Sequence, residues 1–120
     1  MAYRYAIKYS RPSTDDKWYF MDTDTVYTAE ETARQGVLND FIEAKKASND
    51  VDVSWEFSDD MLDFTYILTY ESEEKYNELA AEWATIRDDQ CDGIEPEAEA
   101  KFVQWNTDNN GTFEIIKETV

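Results

Sequence analysis

Alternation of apolar and polar residues marks three segments of the chain, residues 3–9, 51–57 and 62–70. In each of them every second side chain is a ring or a branched aliphatic group, with Trp55 on the apolar side of the middle segment. This period of two is typical of a strand that buries one face. Turn residues at 58–60 predict that the second and third segments form a hairpin.

Two helices are predicted between these strands. Thr28 and Glu31 form the sequence signature of a capping box, which predicts a helix from Thr28 to about Ser48. Ser72, followed by two glutamates in the first turn, predicts the start of a second helix that ends near Arg87. Both segments carry an apolar stripe at helical spacing, so that each is expected to pack one face on a sheet.

Further strands are predicted at residues 17–21, 102–105 and 112–117. The first follows a turn-rich stretch and is expected to form a hairpin with the strand at residues 3–9. The other two flank Asn109-Asn110-Gly111, and Asn-Gly is a strong hairpin signal. The acidic segment 88–100 between helix and hairpin is predicted to be a loop.

These elements predict an α+β fold in one domain, residues 1–120. The expected order is ββαββαββ, an antiparallel sheet with two helices on one face. Its centre is the strand-helix-hairpin-helix-strand order of a ferredoxin-like core. This burial scheme places both helix stripes against the same side of the sheet.

The order of elements over residues 3–118 resembles the small dimeric α+β barrel proteins, a group that includes antibiotic-biosynthesis-type monooxygenases. The resemblance implies two ferredoxin-like protomers packed sheet against sheet. Some members use a His or a haem ligand, and this chain contains no His, so no activity is carried over. The short, acidic, Asn- and Tyr-rich sequence is also similar in style to small proteins of tailed phages, including those of marine cyanobacteria.

The formal net charge of −17, from 28 acidic and 11 basic residues, limits the partners. Phosphate binding relies on clustered Lys and Arg, so no direct nucleic-acid binding is expected. An anionic membrane surface would also repel the chain. Three interpretations remain open, namely solubility in an acidic or salty cell interior, a surface for a basic protein partner, and cation binding.

The lack of His and the single cysteine, Cys91, limit the chemistry. No internal disulfide is possible, which fits a reducing cytoplasm, that of the host cell if the protein is phage-encoded. The commonest general base and a structural zinc site are both excluded. We expect no catalytic residues and no cofactor. Neither a signal peptide nor a membrane-spanning run is expected from the sequence.

The nearest match to a ligand motif runs from residue 88 to residue 99 and resembles an EF-hand loop. Gly93 stands at the sixth position, as that loop requires, whereas Pro96 lies inside it and a Gln occupies the third position. We expect a solvated acidic loop without bound Ca²⁺. The candidate calcium ligands are Asp88, Gln90, Asp92 and Glu99.

The leading functional hypothesis is a non-enzymatic acidic binding or accessory protein that forms a homodimer. This hypothesis rests on a surplus of apolar residues that are out of phase with the main apolar stripes of the strands. Their side chains would point to the uncovered face of the sheet. One alternative is an acidic decoy that imitates nucleic acid and binds a basic protein. Another is a small enzyme of the dimeric α+β barrel type, which would need a pocket between sheet and helices lined by Tyr, Trp and Asn. The out-of-phase residues are Tyr19, Met21, Ile67 and Ile116.

Overall fold

A computed structural model describes residues 1–90 and 95–120, with the backbone alone for residues 95–97. These residues form four strands, four α-helices and one 3₁₀ turn, Tyr19–Met21. No helix among them is long and apolar enough to cross a membrane. The strands are β1 (Tyr3–Ser10), β2 (Asp52–Phe57), β3 (Asp63–Tyr70) and β4 (Thr112–Thr119). The helices are α1 (Thr23–Val26), α2 (Ala29–Ala47), α3 (Glu73–Gln90) and α4 (Glu95–Asp108).

The four strands form one antiparallel sheet in the order β2-β3-β1-β4. In the central rows, Ile7 of β1 lies opposite Tyr66 of β3 on one side and Ile115 of β4 on the other. Long helices connect β1 to β2 and β3 to β4, which gives the β-α-β-β-α-β succession of a ferredoxin-like fold. The α+β class is therefore confirmed, whereas the ββαββαββ order contains two strands that the structure does not have.

The predicted strand at residues 17–21 is a 3₁₀ turn, and β1 pairs with β3 and β4 instead. Trp18 is buried, at 7% exposure, whereas Met21 at the end of the segment is 76% exposed. Trp18 packs near Phe64 of β3, with ring centroids 6.3 Å apart. Tyr19 packs edge-on against Phe102 of α4 at 4.6 Å. A short apolar run without alternation cannot distinguish these two conformations.

Residues 102–105, predicted as a strand, lie inside α4, and so does the second half of the predicted loop 88–100. The apolar residues Ala98, Phe102 and Trp105 are four and three positions apart, which puts them on one face of a helix. Aromatic residues also favour strands, and this preference masked the helical spacing in the sequence.

The Asn-Gly pair ends α4 instead of closing a hairpin. Asn110 has φ of 59°, the left-handed conformation that terminates helices, and the Gly111 N–H donates to the carbonyl oxygen of Asn106 at 2.9 Å. A Cβ at Gly111 would stand 2.6 Å from Oδ1 of Asn106, so any other residue there would force the Asn106 side chain to shift. Asn-Gly suits a hairpin turn as well as a helix end. Here the chain continues from α4 into β4, which pairs with β1.

Both predicted helix starts are confirmed. Thr28 Oγ1 accepts from the Glu31 N–H at 3.1 Å, and the Glu31 carboxylate accepts from the Thr28 N–H at 2.9 Å. This reciprocal pair is the capping box that begins α2. At α3 the hydroxyl of Ser72 accepts from the Lys75 N–H at 3.1 Å. The second helix continues through Gln90, three residues beyond the predicted end.

The two faces of the sheet have different surroundings. On the side we call the covered face, Tyr5, Ile7 and Tyr9 of β1 point towards the helices. On the other side, the open face, Arg4, Ala6 and Lys8 alternate with them. This alternation matches the pattern in the sequence.

The main core packs on the covered face. Val51, Leu68, Tyr70 and Leu79 form a buried cluster, with Leu79 only 4% exposed. Trp55, which the alternation assigned to the buried side, is 60% exposed. It lies on β2, an edge strand, where the helix layer covers the sheet incompletely.

Candidate functional site

A cavity of about 350 Å³ lies between the covered face and the helices. That volume is at the small end of the roughly 300–1,000 Å³ typical of ligand pockets. Strands β1 and β4 form its floor, and α2, α3 and α4 form its walls. The lining residues are Ile7, Tyr9, Tyr19, Tyr27, Gln35, Leu38, Asn39, Trp83, Ala98, Glu99, Phe102, Phe113 and Ile115. Six of these side chains are aromatic, so that a ligand would contact mostly ring surface.

Two tyrosine hydroxyls form a hydrogen-bonded chain at the cavity wall. The Tyr27 hydroxyl donates to the carbonyl oxygen of Ala98 at 3.1 Å, and it is also hydrogen-bonded to the Tyr19 hydroxyl. A carbonyl only accepts, so the single proton of Tyr27 is committed to Ala98. Tyr19 must therefore donate to Tyr27, which leaves lone pairs on the Tyr19 oxygen as an acceptor.

The phenols of the cavity stay protonated at neutral pH. Burial raises the pKa of Tyr9 to about 12, and neighbouring tyrosines add to the effect. Burial, followed by the hydrogen bond with Tyr27, also raises the pKa of Tyr19. The pKa of Tyr27 is raised as well, first by burial. The cavity therefore offers neutral hydroxyls and no phenolate base.

Gln35 places an unsatisfied donor at the cavity. Its Nε2 is buried and has no hydrogen-bond partner among residues 1–90 and 95–120. A buried amide donor without a partner costs about 1–3 kcal/mol, so such groups are uncommon in native proteins. Gln35 projects from the middle of α2 into a wall that otherwise consists mainly of rings and aliphatic groups. The arrangement can satisfy an acceptor on a bound molecule.

Ion pairs and hydrogen bonds hold the wall helices in place. The Lys101 ammonium of α4 contacts the Glu31 carboxylate of α2, which is 7% exposed as a residue. That bond, together with the Thr28 N–H, lowers the pKa of Glu31 to about 2. The indole N–H of Trp105 donates to Asp22 at 2.8 Å and attaches α4 to the start of α1. Both contacts fix the walls against each other near the cavity.

The candidate calcium ligands that the structure describes are distributed over two helices. Asp88 and Gln90 belong to the last turn of α3, where Asp88 pairs with Arg87 at 2.9 Å, and Glu99 belongs to α4 and lines the cavity. Asp92 lies outside the described residues, as does Cys91. Within the described part of the chain no three acidic or thiol groups cluster as metal ligands. The expectation that Ca²⁺ is not bound stays a prediction.

The open face holds two of the four residues from which the homodimer was inferred. Ile67 and Ile116 lie on either side of Ala6 in one row of the sheet, and Ala6 is 2% exposed. Tyr19 and Met21 belong to the 3₁₀ turn and not to the sheet. The neighbouring rows are charged and contain the ion pairs Arg4–Glu118, at 3.4 Å, and Lys8–Asp63, at 3.9 Å.

Comparisons of the sequence with protein families and with curated proteins give no match. Two solved structures are similar over nearly the whole chain. One is a de novo designed protein, Foldit4, with 12% identity, coverage of 100% of this chain and 99% of that one, and a TM-score of 0.38. The other is a dimeric ferredoxin-like protein from an uncultured marine organism, with 13% identity, coverage of 98% and 91%, and a TM-score of 0.41.

Both likenesses are distant, so that the description of the fold rests on the order of the elements and strands. The site likewise rests on its own geometry. The enzyme alternative would need a pocket between sheet and helices lined by Tyr, Trp and Asn, and Tyr9, Trp83 and Asn39 are among the residues that line this cavity. Gln35 was not predicted, because a glutamine in a charged helix looks like any solvent-facing residue.

Proposed function

We propose that the protein is a non-enzymatic binding protein that holds a small organic molecule in the cavity between sheet and helices. The observation that carries the proposal is the buried, unpartnered Nε2 of Gln35 in a wall made mostly of rings. A mostly apolar pocket with a few convergent polar groups is the usual form of a small-molecule site. A ligand acceptor opposite Gln35 would remove the cost of the unsatisfied amide.

The polar groups of the cavity support binding rather than catalysis. Tyr9, Tyr19 and Tyr27 are neutral phenols at physiological pH, and a general base needs a pKa close to the working pH. The Tyr19 oxygen supplies an acceptor and Gln35 supplies a donor, which together can orient a ligand without transferring a proton. Turnover of a bound molecule would instead support the alternative of a small enzyme.

The neutral fluorescent probe N-phenyl-1-naphthylamine tests the cavity directly. We expect saturable fluorescence enhancement with one probe per chain, because the rings offer an apolar site of suitable size. Ala98→Phe, which fills the cavity from α4, should abolish the enhancement. Ala81→Phe on the exposed side of α3 should leave it unchanged.

Melting curves establish that each variant is folded. A wild-type protein that gives no saturable signal contradicts the proposal, and so does an Ala98→Phe variant that binds as well as the wild type. If Ala98→Phe unfolds, Leu38→Phe provides a second way to fill the same space from α2.

We further propose that two copies of the chain pair through the open face. Three residues of its central row are apolar, namely Ile67, Ala6 and Ile116. The flanking rows carry both signs of charge, so a two-fold arrangement can set Arg4 or Lys8 of one copy against Glu118 or Glu114 of the other. Light scattering should report twice the 14.1 kDa chain mass. Ile67→Lys should give monomers, whereas Thr85→Lys on α3 should not. A strictly monomeric wild type at micromolar concentration contradicts this pairing.

A further inference from the structure

The one charged side chain among the described residues that line the cavity is acidic, that of Glu99. Two cations lie close to the wall and are engaged there. Lys101 contacts Glu31 on the neighbouring helix, and Arg87 lies over the Trp83 ring and pairs with Asp88. The chain as a whole carries −17, which adds a negative field. An anionic ligand would therefore meet Glu99 and no basic residue in the described lining, whereas a cation would be attracted.

The rings of the cavity also favour a cation. The faces of Tyr, Trp and Phe rings carry partial negative charge, so they attract a desolvated cation. Phe102 is surrounded by Tyr19 at 4.6 Å, Phe113 at 4.5 Å and Tyr9 at 6.0 Å between ring centroids. Rings at these separations are in contact with one another, and all four of them line the cavity. A cation bound there would lie against aromatic surface.

The unpartnered donor adds a second requirement. Gln35 Nε2 can only donate, so that a ligand satisfies it with an oxygen or nitrogen acceptor. A bare ammonium offers no acceptor, and a carboxylate would bring a negative charge close to Glu99. A neutral acceptor such as a hydroxyl or carbonyl oxygen meets both conditions.

From these three features, and resting on the proposed binding function, we infer that the cavity selects a small organic cation that also carries a neutral acceptor oxygen. The cationic group lies against the rings near Glu99, and the oxygen accepts from Gln35. The cavity volume of about 350 Å³ restricts the ligand to a compact molecule.

Three probes of similar shape separate the contributions in calorimetric titrations of the full chain. Choline has both the cation and the oxygen. Its isostere 3,3-dimethylbutan-1-ol keeps the oxygen and lacks the charge, and tetramethylammonium keeps the charge and lacks the oxygen. We expect choline to bind, with the alcohol weaker by about tenfold or more, since it loses the cation–π and ionic contributions. Tetramethylammonium should be intermediate.

Two variants assign the contributions to residues. Glu99→Gln should weaken choline by about tenfold and leave the neutral alcohol unchanged. Its control is Glu73→Gln, which removes the same charge from the exposed first turn of α3 and should leave choline binding unaltered. Gln35→Leu should weaken choline and not tetramethylammonium, because only choline uses the amide donor.

The outcomes distinguish this inference from the function on which it rests. If N-phenyl-1-naphthylamine binds in the cavity and choline does not, or if the alcohol binds as tightly as choline, the cavity is a binding site and cation selection is wrong. If neither the naphthylamine nor any of the three probes binds, the proposed function itself is wrong. Equal effects of Glu99→Gln and Glu73→Gln would also overturn the inference, because only the general charge would then matter.

Discussion

The two ends of the covered face are built from the same sheet and are packed in different ways. At the packed end, Val51, Leu68, Tyr70 and Leu79 interdigitate and are nearly inaccessible to solvent. At the cavity end, formed by Tyr9, Phe102, Phe113 and Ile115 with the adjoining 3₁₀ turn, Ile115 is 51% exposed. Rings are present at both ends, since Tyr70 packs edge-on against Tyr76 at the packed end. The two ends therefore differ in how completely their side chains are covered.

This difference separates two tasks within one small domain. The packed end supplies burial, which at about 25 cal/mol per Å² of apolar surface is the main source of stability. The cavity end gives up part of that burial and keeps an unsatisfied amide at Gln35. Regions that sacrifice stability in this way are where binding functions reside.

We expect the largest difference in the free energy of unfolding between truncations of one aliphatic side chain at each end. Leu79→Ala should destabilise the protein by about 2–5 kcal/mol, since it opens a void in a well-packed cluster. Ile115→Ala should cost less than about 1 kcal/mol, because half of that side chain is already in solvent. Urea titrations of both variants give the values. Equal losses would show that the cavity end is as well packed as the other.

The sequence predicts the packed end better than the cavity end. Regular alternation at residues 51–57 and 62–70 and the capping box at Thr28 each specify one local structure, and each is confirmed. The run at 17–21 and the segment 102–105 are rich in aromatic residues, which have high strand propensity, so strands were predicted where tertiary packing produces a turn and a helix. Both of these wrongly predicted elements lie at the cavity end.

Acid should destabilise the protein by breaking the contact between Glu31 and Lys101, which joins α2 to α4. The folded-state pKa of Glu31 is lowered from 4.5 to about 2, first by the hydrogen bond from Lys101. A lowered pKa means that the contribution is complete above about pH 4.5 and is lost as the pH falls towards 2. Glu31→Gln should be less stable than the wild type at pH 7, and the two should converge at low pH.

Urea midpoints measured from pH 7 down to pH 2 check this. General relief of acidic repulsion affects both proteins alike, so that the difference between them isolates Glu31. A difference that is constant over the whole range would contradict the assignment, since it would not depend on the ionisation of the carboxylate.

The smallest expected effect is a gain. Ala98→Leu places aliphatic volume in the cavity and should stabilise the protein by about 0.5–2 kcal/mol, the usual range for filling a void. Ala81→Leu, at an exposed position of α3, should change stability by less than about 0.5 kcal/mol. Thermal melts of both variants measure the gain. A loss of stability in Ala98→Leu would mean that the wall at α4 has no free space.

Amide NMR spectra of the protein titrated with choline show residue by residue where the molecule binds, and so decide whether the cavity is the site. We expect the side-chain amide of Gln35 and the backbone amides of Ala98, Glu99 and Phe113 to shift together with one saturation curve. The amides of Val51 and Leu79 at the packed end, and of Ile67 on the open face, should stay in place. N-phenyl-1-naphthylamine should shift the same amides of the cavity, except that of Glu99, because this probe carries no positive charge. Shifts that map to the open face, or a Gln35 amide unaffected by both molecules, would show that the cavity is not the binding site.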